Sequence, residues 1–206
     1  MYKIILFTIT LSLGVCSSLL GQGIFGATLL GGINACQIDG DDFAGFNKVG
    51  LNVGIRGDVY FHEKMSLGME LSFSQRGSRS ELIGGQSPFP QLKIDVNYIQ
   101  VPVLLRYYDW YIEDGEYFRV FALGGFSYGR LFSSKALNSN FEGQTDLFKE
   151  NDVSLHLGLG YQFNPSWALT LRFNKGLTRL FDSRDAPLVS RSMVNRWLTF
   201  RIEYSL

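Results

Sequence analysis

Val49-Gly50-Leu51-Asn52-Val53-Gly54-Ile55-Arg56-Gly57-Asp58-Val59-Tyr60-Phe61 is the stretch that decides the fold. Val49, Leu51, Val53, Ile55, Val59 and Phe61 share one parity, and Gly50, Asn52, Gly54, Arg56, Asp58 and Tyr60 share the other. A period of two places apolar side chains on one face of an extended segment and polar ones on the other, a pattern that a helix of 3.6 residues per turn does not give. The same alternation recurs outward in both directions. Leu67, Met69, Leu71 and Phe73 interleave with Gly68, Glu70, Ser72 and Ser74. Ile99 to Tyr107, Phe118 to Ser127, Val153 to Phe163, Trp167 to Asn174 and Leu198 to Tyr204 repeat it. With Phe25 to Ile38 the chain holds eight such segments, the even number that an antiparallel up-and-down barrel requires.

The connections alternate too. Asp39 to Asn47, the stretch around Gly84 to Gln91, Ser133 to Asn151 and Asp182 to Asn195 are long. His62 to Met65, Asp109 to Glu116 and Asn164 to Ser166 are shorter. Outer-membrane barrels have this asymmetry, with short periplasmic turns and long extracellular loops, and it puts both termini in the periplasm.

Composition narrows the class. The 206 residues carry no formal net charge, are 46% hydrophobic and only 18% charged, which suits one folded domain and excludes a disordered chain. A neutral chain offers no basic surface for phosphate, so nucleic acid is not an expected partner. Glycine at 23, aromatics at 15% and proline at 5 suit strands. Two cysteines exclude a disulfide-dense scaffold.

Residues 1–21 read as a signal peptide. Lys3 is the positive end, Ile4 to Val15 the apolar stretch, and Ser17, Ser18 and Gly21 the small residues before cleavage at Gln22 or Gly23. Residues 22–206 are then one barrel domain with a single cysteine, Cys36. No later stretch is apolar enough for a membrane helix, so any membrane crossing is made by strands closed into a barrel.

Periodicity alone does not say which face is outside. A soluble lipocalin-like carrier turns the apolar face inward around a ligand, and an outer-membrane barrel turns it to lipid. Charge type favours lipid outside. Mid-strand cations are arginines, Arg56, Arg76, Arg106, Arg119, Arg172 and Arg201, beside Asp58, Glu70 and Glu203, whereas lysines fall at strand ends or in loops. The planar guanidinium fork suits an enclosed lumen, where it bonds several acceptors at once. Phe61, Tyr107, Phe163, Trp167 and Tyr204, near strand ends, suit an interfacial girdle.

Four segments carry a family resemblance. Tyr98-Ile99-Gln100-Val101-Pro102-Val103-Leu104-Leu105-Arg106-Tyr107 resembles the "Y-[LI]-x-[IVL]-P-[LV]-L-[LI]-[KR]-[YF]" strand of the PorT-like outer-membrane β-barrel family. Glu70 to Gly77 is similar to its preceding "E-L-x-[YF]-S-x-[KR]-G" strand. Leu157-Gly158-Leu159-Gly160-Tyr161 and Leu171 to Thr178 resemble its later glycine-rich and "L-x-[LF]-R-[YF]-x-x-G-L-x" elements. The chain departs from the usual terminal aromatic in ending Tyr204-Ser205-Leu206. The resemblance implies an integral protein of the outer membrane of Gram-negative bacteria. A secretion role, known for the family's named member, does not follow from fold.

The expected site is structural: a lumen network of Arg56, Asp58, Glu70, Arg76, Arg106, Arg119, His156, Arg172, Arg201 and Glu203, with Arg106, Arg172 and Arg201 paired to Glu70, Glu203 or Asp58. His156 reads as a lumen residue satisfied by its neighbours; the alternative, His156 beside Glu70 or Glu203, is the acid–base pairing that a barrel enzyme acting on lipid or peptide would use. No Gly-x-Ser-x-Gly or His-Glu-x-x-His element appears, so no catalytic, metal or cofactor residue is assigned. Pro102 within a strand predicts a bulge or local opening. The expected partners are outer-membrane lipid and an extracellular or periplasmic protein meeting the loops at Ser133 to Asn151 and Asp182 to Asn195.

Overall fold

The structure, a computed structural model, describes residues 24–39, 45–79, 93–137, 148–180 and 193–206. Its strands are β1 (Phe25–Asp39), β2 (Lys48–His62), β3 (Met65–Arg79), β4 (Lys93–Ile112), β5 (Tyr117–Leu137), β6 (Asn151–Gln162), β7 (Trp167–Gly176) and β8 (Val194–Ser205). Each pairs antiparallel with the next, and β8 returns to β1 from Thr28↔Ser205 to Asp39↔Val194. The result is a closed eight-stranded barrel with no free sheet edge. Among the described residues no helix is long and apolar enough to cross a membrane.

Each segment of alternating sequence becomes a strand. The boundaries differ where a ladder outruns the pattern. β4 and β5 pair from Lys93↔Leu137 to Ile112↔Tyr117, with an irregularity at Asn97/Tyr98 and a skipped pair at Trp110, whose φ is 60°. The expected connection Asp109 to Glu116 therefore shrinks to a 3-10 turn, Glu113–Gly115, which closes at Glu116 in the left-handed region with φ 51°. The expected loop from Ser133 likewise surrenders Ser133–Leu137 to β5. The signal peptide at 1–21 and the Gly84 to Gln91 loop lie outside the described residues, as do residues 40–44, 138–147 and 181–192.

The apolar parity faces outward. Leu29, Ile33, Ile55, Met69, Leu71, Leu105, Leu157, Leu159, Leu171 and Ile202 are exposed, while Asn34, Asn52, Arg56, Glu70, Gln100, Arg106, Thr199 and Glu203 are buried. An aqueous carrier needs the reverse. Phe61, Tyr107, Phe163, Trp167 and Tyr204 are exposed at the end that carries the short turns, together with Trp110 and Tyr111.

Two local features follow from backbone chemistry. Proline has no N–H to give a ladder, and the β3–β4 ladder is interrupted between Met69↔Val103 and Ser72↔Gln100, opposite Pro102. Register is the same on both sides, so the proline makes a local opening and no bulge. Gly32 sits where β1 meets β8, and a Cβ there would run into the Phe200 carbonyl and the Arg201 backbone. Its neighbour Gly31 points outward, with nothing near a Cβ.

Gly32→Val should therefore prevent closure of the β1–β8 seam, and Gly31→Val should not. Gel mobility before and after boiling reads this: Gly31→Val keeps the compact unboiled band, and Gly32→Val runs as unfolded chain under both conditions.

Candidate functional site

Eight strands leave an interior just wide enough for side chains to fill, and here it is filled in layers. Toward the long-loop end Ile38, Val96, Tyr98, Leu131, Phe148 and Met193 belong to one buried apolar cluster. Toward the short-turn end Leu104, Tyr108, Phe121, Leu123 and Ala168 form another, with Phe118 packed on it. Between them lies a charged layer whose members are almost completely buried.

Two carboxylates organise that layer. Glu203 on β8 accepts from Arg56 Nη1 at 2.6 Å, from Arg106 Nη1 and Nη2 at 3.1 and 3.3 Å, and from Thr170 Oγ1 at 2.8 Å. Glu70 on β3 accepts a fork from Arg172, 3.2 and 2.9 Å, and two contacts at 3.0 Å from Arg201 Nη2. Arg106 Nη2 stands 3.8 Å from Glu70 and links the two centres. Arg56 also donates through Nε to Asp58 at 2.6 Å and through Nη2 to Thr28 at 2.9 Å. Arg201 Nη1 donates to Asn52 Oδ1 at 3.3 Å. Charge-assisted forks of this kind are the strong class of hydrogen bond, and in a dry interior each guanidinium needs them to offset its lost hydration.

Arg76 sits apart from that layer. It pairs with Asp152 at 2.7 Å, donates to Ser74 at 3.2 Å and to Gln100, and lies 3.6 Å from the Trp197 ring centre and 4.5 Å from that of Tyr98. The cation is thus held between two aromatic faces as well as by an anion.

Two expected members, His156 and Arg119, stand outside the ion-paired layer; His156 is in the lumen as expected, and Arg119 is not enclosed there. His156 touches no carboxylate. Its Nδ1 is 2.5 Å from Asn174 Oδ1 and its Nε2 2.7 Å from Ser127 Oγ. An amide oxygen only accepts, so Nδ1 carries the proton and Nε2 accepts the Ser127 hydroxyl. The register sets His156 directly opposite Asn174 on β7, so the same-face neighbours occupy both ring nitrogens before any glutamate reaches them. A serine, a histidine and an orienting amide is a hydrolase-like order, yet all three are buried to 3% exposure or less. Arg119 is half-buried at the short-turn end, bonded at 3.5 Å to Tyr117 and 5.5 Å from the Trp110 ring centre. Phe121, two residues further on the same face, belongs to the apolar layer between Arg119 and the carboxylates.

The expected network did not include Asp152, Gln100, Asn52, Thr170, Ser127, Asn174 and Trp197. All lie on the buried parity of their strands. That shared parity is the signal by which the neutral members were open to being found.

A closed barrel with an apolar outer wall and a polar, filled interior defines the class: a membrane-spanning β-barrel, in which lipid covers the outside and every backbone group is paired within the wall. Residues 23–182 match the family model described as "Outer membrane protein beta-barrel domain", and the chain belongs to that family. It is an integral outer-membrane barrel. Comparison with curated proteins gives no match. Among solved structures it is similar to Ail, the attachment invasion locus protein of Yersinia pestis (15% identity, 88% of this chain and 99% of that one, TM-score 0.47). It is also similar to OprG from Pseudomonas aeruginosa (12% identity, 88% and 95%, TM-score 0.46) and to Neisserial surface protein A (8% identity, 87% and 96%, TM-score 0.44).

Removing one partner of a buried ion pair leaves an uncompensated charge and typically costs about 3–5 kcal/mol, whereas an exposed pair contributes about 0–1 kcal/mol. Glu70→Gln strands Arg172 and Arg201 and should lower the urea midpoint by the larger amount. Arg130→Ala, which breaks the exposed 2.9 Å pair with Glu150, should leave the midpoint nearly unchanged.

Proposed function

We propose that this chain is a non-catalytic, non-conducting barrel of the Gram-negative outer membrane that serves as an envelope scaffold or surface-binding platform. One observation carries the reading. The lumen is occupied by ion-paired side chains between two apolar clusters, while the long connections between β1 and β2, β3 and β4, β5 and β6, and β7 and β8 all join strands at one end of the barrel. A filled lumen offers solutes no path, so the variable chemistry of the protein is carried by those connections. Short turns mark the periplasmic end of outer-membrane barrels, which sets the long connections on the cell surface.

The finer assignments rest on the sequence. Residues 1–21 export the chain as a cleaved signal peptide, residues 22–206 form the barrel domain, and the four motifs from Glu70 to Thr178 group it with the PorT-like barrels. Its partners are outer-membrane lipid and a protein met at the surface or in the periplasm. The lumen residues serve the fold: Glu70 and Glu203 hold β2, β3, β4, β7 and β8 together across the interior. The barrel-enzyme alternative needs His156 beside a carboxylate; its ring nitrogens meet Asn174 and Ser127, and its burial argues against that alternative too.

Reconstituted in a planar lipid bilayer, the protein should give no discrete conductance steps; reproducible ohmic steps would overturn the closed-lumen reading. Removing residues 138–147 or 182–192 should leave the heat-modifiable gel shift intact and abolish surface binding or produce an envelope defect. An unchanged phenotype with both removed would count against the platform.

A further inference from the structure

The central charged layer does not balance. Among the described residues, the guanidinium groups of Arg56, Arg106, Arg172 and Arg201 face the carboxylates of Asp58, Glu70 and Glu203, while Arg76 and Asp152 neutralise each other separately. One positive charge is left over in a region almost completely buried. Arg56, which has Asp58 to itself, uses its Nε. Arg106, Arg172 and Arg201 share Glu70 and Glu203, and the Nε–H of each has no partner. All three guanidinium groups converge on Glu70, at 3.8, 2.9 and 3.0 Å. Ser72, two residues along β3 on the same buried face, carries a hydroxyl that is also unpartnered. Asp58 has one unpartnered oxygen, but its single charge is already counted.

Water can satisfy an idle N–H, but it cannot cancel a buried charge, and an uncompensated ion in a low-dielectric interior is far costlier than an unmade hydrogen bond. We propose that the lumen binds one small monovalent inorganic anion of the chloride type beside Glu70. The unpartnered Nε–H groups of Arg106, Arg172 and Arg201 and the Ser72 hydroxyl are the donors that this layer leaves open to it. The surplus of one charge sets its valence. The dense side-chain filling limits it to halide size and excludes phosphate or an organic acid. The anion makes the ion layer neutral and so belongs to the stable folded state.

Bromide is the probe. Crystals of the refolded full barrel grown in sodium bromide should show an anomalous peak within hydrogen-bonding reach of those arginine Nε atoms. Water alone among the arginines, or bromide confined to the outer surface, overturns the inference. Asn52→Asp tests the charge argument with almost no change of shape, because Asn52 Oδ1 already accepts from Arg201 at 3.3 Å. The variant supplies the missing carboxylate and should lose the lumenal peak. In urea, the wild-type midpoint should be higher in chloride than in gluconate at equal ionic strength, and that difference should vanish in Asn52→Asp. A wild-type midpoint indifferent to the anion, or lumenal bromide that persists in the variant, also overturns it. The bromide experiment uses the unmodified protein, so it decides the matter even if the variant does not refold.

Discussion

In a bilayer no water is available to an unpaired peptide group, and the whole design of this protein follows from that constraint. A sheet of eight strands satisfies it only when the last strand bonds to the first. The β1–β8 ladder, Thr28↔Ser205 to Asp39↔Val194, makes that closure. It is possible only because Gly32 lets β1 approach the Phe200 carbonyl and the Arg201 backbone closely. Once the ring is shut, alternate side chains must point to lipid or into the lumen, and the composition of each parity becomes a choice between the two environments.

The lumen then sets a second problem. Polar side chains on the inner parity are cut off from bulk water by apolar clusters toward both ends. Charges in such a space must be paired with good geometry. Glu70 and Glu203 meet that need by each serving several cations from other strands. Arg76 meets it with an anion and two aromatic faces. The interior therefore acts as a cross-brace between strands that the backbone ladder joins only to their neighbours. Pro102 interrupts that ladder opposite Glu70, and there the side-chain brace spans a place where main-chain pairing is weakest.

The interior of this barrel is given over to pairing its own charges. Its serine–histidine contact is buried, and its central cations face inward to carboxylates. The long connections all join strands at one end of the barrel. Fold alone does not name what those connections meet.

The eight strands, their number and the pairing of short with long connections were legible in the sequence, because a period of two is a local property that each segment displays alone. The arginine-rich inner parity was legible as a class for the same reason. The partners were not. Arg172 on β7 meets Glu70 on β3 across the lumen, a contact set by strand tilt and barrel closure and not by any spacing along the chain. The histidine shows the limit most clearly. Sequence put His156 on the inner parity, satisfied by its neighbours; only antiparallel register said which they are, setting Asn174 directly opposite it with the Ser127 hydroxyl on the other ring nitrogen. Arg119 lies on the inner parity, yet it sits beyond Phe121, where the lumen opens, so it turns to Tyr117 and Trp110. Alternation by itself determined which residues share a face. Charge type already pointed the apolar face to lipid; only closure of the barrel decided how far along the lumen each charge lies and which charge it reaches.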